Sequence, residues 1–205
     1  MADSFLFSDY WPTPKVGGSV TFDYGLGADG KNLTSVYTNS GDSSIFYLDD
    51  YIDGEWKDRW VLDYYTERGI LETADLYPAK SYQFWTSRRT TGFTRGKEIP
   101  WGNVQNVGDI IDQVIEISFW NSTPFEWWSK GRQRVEFVKH QKTFTAKNGK
   151  KYKDVLEVTY DQSFGDKPSV GNRGWYAKGI GLVQLTWRSE GNDVGNPMPA
   201  VVTEA

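Results

Sequence analysis

The stretch TFTAKNGKKYKDVLEVTY, residues 143–160, decides the fold. Asn148 and Gly149 supply the positive φ angles that a tight hairpin turn needs, and they separate two runs of strand-forming residues. In the second run Leu156, Val158 and Tyr160 alternate with Val155, Glu157 and Thr159, a period of two that belongs to strands. An antiparallel hairpin over 143–146 and 152–160 is the expectation.

The same signals recur outward from this hairpin. Asp53 and Gly54 stand between 44–51 and 55–65, which reads as a second long hairpin, with Trp60, Leu62 and Tyr64 on one face. Val20, Phe22 and Tyr24 share a face of a first strand over 19–24, and 69–75 and 81–88 read as strands joined near Tyr77 and Pro78. Residues 90–106 lose periodicity and read as a long loop. Residues 109–115 admit one or two helical turns, whereas 114–120 prefers a strand. Val183, Leu185 and Trp187 continue the strand pattern after a polar loop over 161–174, and 189–205 reads as an extended or loosely docked tail. The sum is an all-β, antiparallel sandwich, half-barrel or curled sheet with at most one short helix, in a single domain over 1–205.

Composition narrows the chemistry. No cysteine is present among the 205 residues, which removes thiol nucleophiles, thiolate metal sites and disulfides. One histidine, His140, leaves at most one imidazole base; between Lys139 and Lys142 on a strand, it is expected to be a solvated strand residue. Residues 1–10 carry Asp3 and Asp9 and no long apolar stretch, so neither a signal peptide nor a membrane span is read there. The 107–120 segment is too polar to cross a bilayer. An extracellular, envelope or virion-surface location is favoured all the same.

The net charge of −4 argues against a dedicated nucleic-acid binder. Its distribution is uneven. Residues 1–79 hold 5 basic and 14 acidic side chains, and residues 80–205 hold 18 and 13. Between Lys130 and Lys153 nine basic residues face Glu136 alone. An unbroken strand there would put Lys139 on the face of Val135 and Phe137, with Glu136, Val138 and His140 on the other. The 10 tryptophans exceed what a β core of this size needs, so some should reach the surface.

Three stretches resemble small, β-rich bacterial envelope proteins, often lipid-anchored and mostly of unassigned function. They are the run from Gly149 through Lys150, Lys151, Tyr152, Lys153, Asp154, Val155, Leu156 and Glu157 to Val158; the run from Trp175 through Tyr176, Ala177, Lys178, Gly179, Ile180, Gly181 and Leu182 to Val183; and Tyr10, Trp11, Pro12, Lys15, Gly17 and Tyr24 near the start. The resemblance implies a curved antiparallel sheet with a binding or structural role, and it transfers no catalytic residues.

Candidate chemistry is sparse. Gly179, Ile180 and Gly181 precede a strand rather than a helix, so they suit a bend better than a phosphate loop. Asp49, Asp50, Asp53 and Glu55 lack the spacing of a calcium loop and read as an acidic turn. Glu126, with Glu98 or Asp112 as partner, is the carboxylate pair that a glycan-active enzyme would need. The stronger pattern is aromatic. Phe93, Trp101, Phe125, Trp127 and Trp128 lie outside strand alternation, among Arg95, Asn103 and Lys130. Flat rings pack on sugars while amides and guanidinium groups bond their hydroxyls. The same rings could plug an open end of the sheet or form a subunit contact.

Phe93, Arg95, Trp101, Asn103, Trp127, Trp128 and Lys130 are therefore the expected ligand-binding residues, with no catalytic residue, metal or cofactor. The expectation is a non-catalytic domain that binds a surface glycan or other cell-surface polymer. A structural or assembly protein of a virion or envelope layer, forming homo-oligomers or meeting a partner protein, is the second reading. A carboxylate-dependent glycan-active enzyme is the third.

Overall fold

The computed structural model describes residues 4–11, 14–26, 30–41, 45–65, 69–77, 81–89, 92–95, 97–98, 104–120 and 127–204. Side chains are described over 4–6, 9–11, 14–26, 30–41, 45–62, 105–115 and 130–204. The described backbone is almost entirely strand. Its one helical element is a 3-10 turn, Phe7–Tyr10.

The main sheet is an antiparallel meander. From one edge it runs through β16 (Asn192–Pro199), β15 (Gly181–Ser189), β14 (Val170–Ala177), β13 (Lys151–Phe164), β12 (Trp127–Thr145) and β11 (Ile110–Trp120). It continues through β7 (Ser81–Arg89), β6 (Gly69–Tyr77), β5 (Glu55–Tyr65), β4 (Ile45–Ile52), β3 (Asn32–Asn39) and β2 (Ser19–Leu26) to β17 (Val201–Glu204). Short strands β8 (Gly92–Arg95) and β9 (Lys97–Glu98) pair with β7 and β6, and β1 (Ser4–Leu6) pairs separately with β10 (Val104–Asn106). Segment 90–106, expected as a loop, thus contributes three strands, and the helical option at 109–115 gives way to β11. In both places tertiary pairing overrides a weak local pattern.

Both expected hairpins form. Asp53 at φ 53° and Gly54 at φ 79° make a two-residue turn between the paired residues Ile52 and Glu55. The second turn is one residue longer. Gly149 N donates to Ala146 O, Ala146 N donates to Lys150 O, and Gly149 takes the left-handed conformation at φ 81°.

The sheet does not close into a barrel. Its C-terminal segment crosses between its two edges: Leu185 pairs with Met198, Ala200 N donates to Val183 O at 2.9 Å, and Val201 pairs with Asp23. Val20, Phe22 and Tyr24 are buried as the alternation predicts. They pack with Tyr37, Phe46 and Leu62 against Phe137, Leu156, Val158 and Leu185 from the far half of the sheet. Trp11 bridges the halves, with ring centroids 5.4 Å from Tyr37 and 5.9 Å from Tyr176. Each fully buried Phe of this cluster, such as Phe22 or Phe137, stabilises by about 1.5–3 kcal/mol. A second cluster of Ala146, Tyr152, Val155, Trp175, Ala177 and Val183 braces the 143–160 hairpin. Among the tryptophans with described side chains, Trp187 reaches the surface at 50% exposure.

Candidate functional site

The local event that shapes the middle of the sheet is a β-bulge in β12. Phe137 pairs with Val158 but Lys139 pairs with Glu157, so Val138 is an extra residue with no partner of its own. The expected parity fails at this point. Lys139 turns outward and is exposed, while His140 turns inward beside Phe5 and Tyr10.

His140 is accordingly no solvated strand residue. Its Nε2 lies 2.5 Å from Asp154 Oδ1, and the Tyr10 hydroxyl donates to the same oxygen at 2.6 Å. Asp154 is held at φ 53°, and its carbonyl accepts from Lys178 N. Burial of Asp154 works against its ionisation, yet the hydrogen bonds from Tyr10 and His140 outweigh it and hold the carboxyl below the usual range. Burial and the neighbouring Asp154 push the Tyr10 phenol well above its ordinary value. Lys178 Nζ reaches Asp9 Oδ2 at 3.2 Å, which completes the attachment of the N-terminal turn to the sheet. This cluster clamps the N-terminal turn to the sheet.

A groove opens elsewhere, on the face that carries Asp112, Arg132 and Arg134. Its volume is about 510 Å³. Register builds it in rows across β11, β12, β13, β14 and β15. Arg134 pairs with Asp112 on one side and Asp161 on the other; Asp161 pairs with Gly171, and Gly171 with Arg188. Arg132 forms a two-pronged pair with Asp112, both contacts at 2.6 Å. Those bonds hold the Asp112 carboxyl below its ordinary value. Arg134 Nη2 meets Glu136 at 3.0 Å, and Arg188 joins Asp161 at 3.1 Å, Asp193 at 3.0 Å and Gly191 O at 2.5 Å. Thr159, Gln162, Ser163 and Ser169 add hydroxyl and amide groups, and Glu190 a further carboxylate. With three arginines against four carboxylates, the lining is close to neutral.

Of the expected ligand-binding residues, Lys130 is exposed on β12 and pairs with Glu116. Phe93 and Arg95 lie on β8, and Trp127 and Trp128 open β12, so the expectation that these four lie outside strands is corrected. The run that hid them is short or lies at a strand start, where alternation has too few residues to register. Trp101, Asn103, Phe125 and Glu126 lie outside the described residues. Register brings some of the rest together: Arg95, Thr86, Glu116 and Lys130 occupy one row across four strands, next to the row of Phe93, Arg88, Val114 and Arg132.

The carboxylates of the first hairpin are engaged separately. Asp49 takes both Arg59 and Trp56 Nε1, Asp50 takes the Ser35 hydroxyl, Asp53 accepts from Asn32 N at 2.8 Å, and Glu55 pairs with Lys57. Gly179 lies in the turn between β14 and β15 and Gly181 opens β15, both at positive φ. Sequence reasoning missed Arg132, Arg134, Asp161 and Arg188 as a group. The first two carry a signal, charges at every second residue from Lys130 to Glu136, but Asp161 and Arg188 become neighbours only through pairing.

No family model and no curated protein matches the sequence. Among solved structures, the chain is similar to a Bacteroides fragilis protein with YmcC-like fold, at 13% identity and a TM-score of 0.44, covering 98% of each chain. Among the described residues no helix is long and apolar enough to cross a membrane.

Proposed function

We propose that this domain is a non-catalytic binding module for a surface glycan or other cell-surface polymer, held in the groove between β11 and β15. The observation that carries the reading is the nature of that groove: about 510 Å³ of open space, lined by charged, hydroxyl and amide groups of nearly balanced sign. The volume falls within the range of small-molecule sites, yet no aliphatic or aromatic residue lines the groove. A chain of hydroxyl groups suits it better. Planar guanidinium groups donate to sugar oxygens and carboxylates accept from sugar hydroxyls, and a balanced lining places no demand for charge on the ligand. Asp112, the one expected carboxylate whose side chain is described, is committed to Arg132, which supports binding over hydrolysis.

Affinity electrophoresis through gels containing dextran, laminarin or xylan tests this directly. At least one neutral polysaccharide should retard the protein, and Arg134→Ala should relieve that retardation while leaving the circular dichroism spectrum unchanged. Free migration of the native protein in every gel, or equal retardation of Arg134→Ala, rejects the groove as a glycan site.

The assembly reading has its own support. Trp187, Val194 and Val170 are about half exposed, and Trp187 pairs directly with Val194 near the β16 edge. A mass from light scattering that exceeds one chain and falls on Trp187→Ser would favour it.

A further inference from the structure

We infer that the hairpin of residues 139–153 is a docking surface for an acidic polysaccharide, separate from the groove. The segment holds Lys139, Lys142, Lys147, Lys150, Lys151 and Lys153 and no carboxylate, so it carries +6 in a chain whose remaining residues sum to −10. All six lysines are exposed.

Their lack of ion-pair partners among the described residues sets them apart from the arginines. The groove arginines Arg132, Arg134 and Arg188 each pair with carboxylates, as do Arg59 and Arg173. Among the described residues no ion pair includes a hairpin lysine. Glu157, directly across from Lys139, is taken by Arg173 at 2.5 Å, and Asp154 is taken by His140 and Tyr10. Six ammonium groups therefore repel one another with no carboxylate among the described residues paired to them, although Lys150 Nζ lies over the Tyr152 ring, and a polyanion would relieve that repulsion. The acidic remainder of the chain would keep such a ligand off other surfaces.

The surface is also preorganised. Phe144 stacks on Trp175 with centroids 5.7 Å apart, Ala146, Tyr152 and Val155 are buried beneath the hairpin, and Lys147 N donates to Gln184 Oε1 at 2.8 Å. Only lysine side chains remain to be ordered on binding, which keeps the entropic cost low.

The same geometry selects the partner class. The turn from Lys147 to Lys150 has no apolar side chain to enter a bilayer. Phe144 and Tyr152 are packed inward, so no hairpin ring is free to stack on nucleobases. The lysines are spread along both arms, roughly 20 Å of strand, which matches the repeating charge of a linear acidic glycan.

Fluorescein-labelled heparin, titrated into the full chain at about 50 mM and about 200 mM salt, tests the inference. Binding at low salt should weaken steeply at high salt. The triple variant Lys147→Glu, Lys150→Glu, Lys151→Glu should lose at least tenfold in affinity and show a flatter salt dependence. Lys167→Glu, an exposed lysine outside the hairpin, should bind as the native chain does. Should the triple variant lose its strand circular dichroism signal, the charge-removing Gln triple takes its place and is held to the same loss. Unchanged heparin affinity in a folded variant overturns the inference. So does tighter binding of the native chain to duplex DNA or to phosphatidylglycerol vesicles than to heparin. Because neutral polysaccharides probe the groove and heparin probes the hairpin, failure of one reading leaves the other standing.

Discussion

Arg188 and Asp161 meet across an intervening strand. Arg188 Nε lies 3.1 Å from Asp161 Oδ1 and Nη2 lies 3.3 Å from Oδ2, although Gly171 stands between them in the ladder. At Gly171 itself β14 lies so close to the backbone of β13 that no side chain fits.

Gly171→Ala should therefore be poorly tolerated. A Cβ at this position would overlap the Tyr160 carbonyl oxygen, a backbone atom that cannot move without breaking the β13–β14 ladder. The expected loss is about 3 kcal/mol, at the upper end of ordinary single substitutions. A urea midpoint measured by tryptophan fluorescence checks it, and native-like stability would show that the strand shifts freely.

Removing arginines from the groove should have unequal effects. The Arg188 side chain is 9% exposed and its partner Asp161 16%, so Arg188→Met leaves a largely buried carboxylate without its partner and should cost about 2 kcal/mol. Arg132, at 69% exposure, forms a pair that water can replace, and Arg132→Met should leave the urea midpoint nearly unchanged. A larger loss from Arg132 than from Arg188 would contradict this ranking.

The clamp at Asp154 should give the protein an acid-sensitive increment of stability. Its folded carboxyl titrates below the ordinary value of about 4, so the increment is fully present above that value and is lost as pH falls through the lower, folded one. The gap in melting temperature between the native chain and Asp154→Asn should be widest near neutrality and should narrow on acidification below about pH 4. A gap that is constant from pH 7 to pH 3 would mean that the ionised form contributes nothing.

Deleting Val138 should leave the two faces of β12 as they are. With the extra residue gone, plain alternation still puts Phe137 inward, Lys139 outward and His140 inward beside Asp154, and the pairs Phe137 with Val158 and Lys139 with Glu157 become consecutive. The deletion and Val138→Ala should both fall within the usual range of about 1 kcal/mol, and a loss from the deletion above about 3 kcal/mol would show that the bulge itself is needed. Chemical denaturation of the two variants side by side is the measurement.

Much of the fold is legible in local sequence because its determinants are local. Asp53 with Gly54 and Asn148 with Gly149 fix turns through backbone sterics alone, and the alternation of Val20, Phe22 and Tyr24 assigns a buried face without reference to any partner strand. Those signals suffice for an antiparallel sheet. They do not reach across bulges, since inserting Val138 reverses the parity of every residue after it, and His140 moves from the expected surface into contact with Asp154 and Tyr10. Nor do they disclose which strands become neighbours. Segment 90–106 contributes strands because β1, β6 and β7 offer it partners, not because its own pattern is strong. The charged groove has the same origin: Lys130 through Glu136 announces a polar strand face, but Asp112, Asp161 and Arg188 are 49 and 27 residues apart in the chain and become one site only when β11, β13 and β15 are laid side by side. The sequence by itself determined the β class, its turns and the lysine hairpin, all consequences of short-range geometry and charge; pairing across distant strands, set by the packing of the whole sheet, decided the bulge, the clamp and the groove.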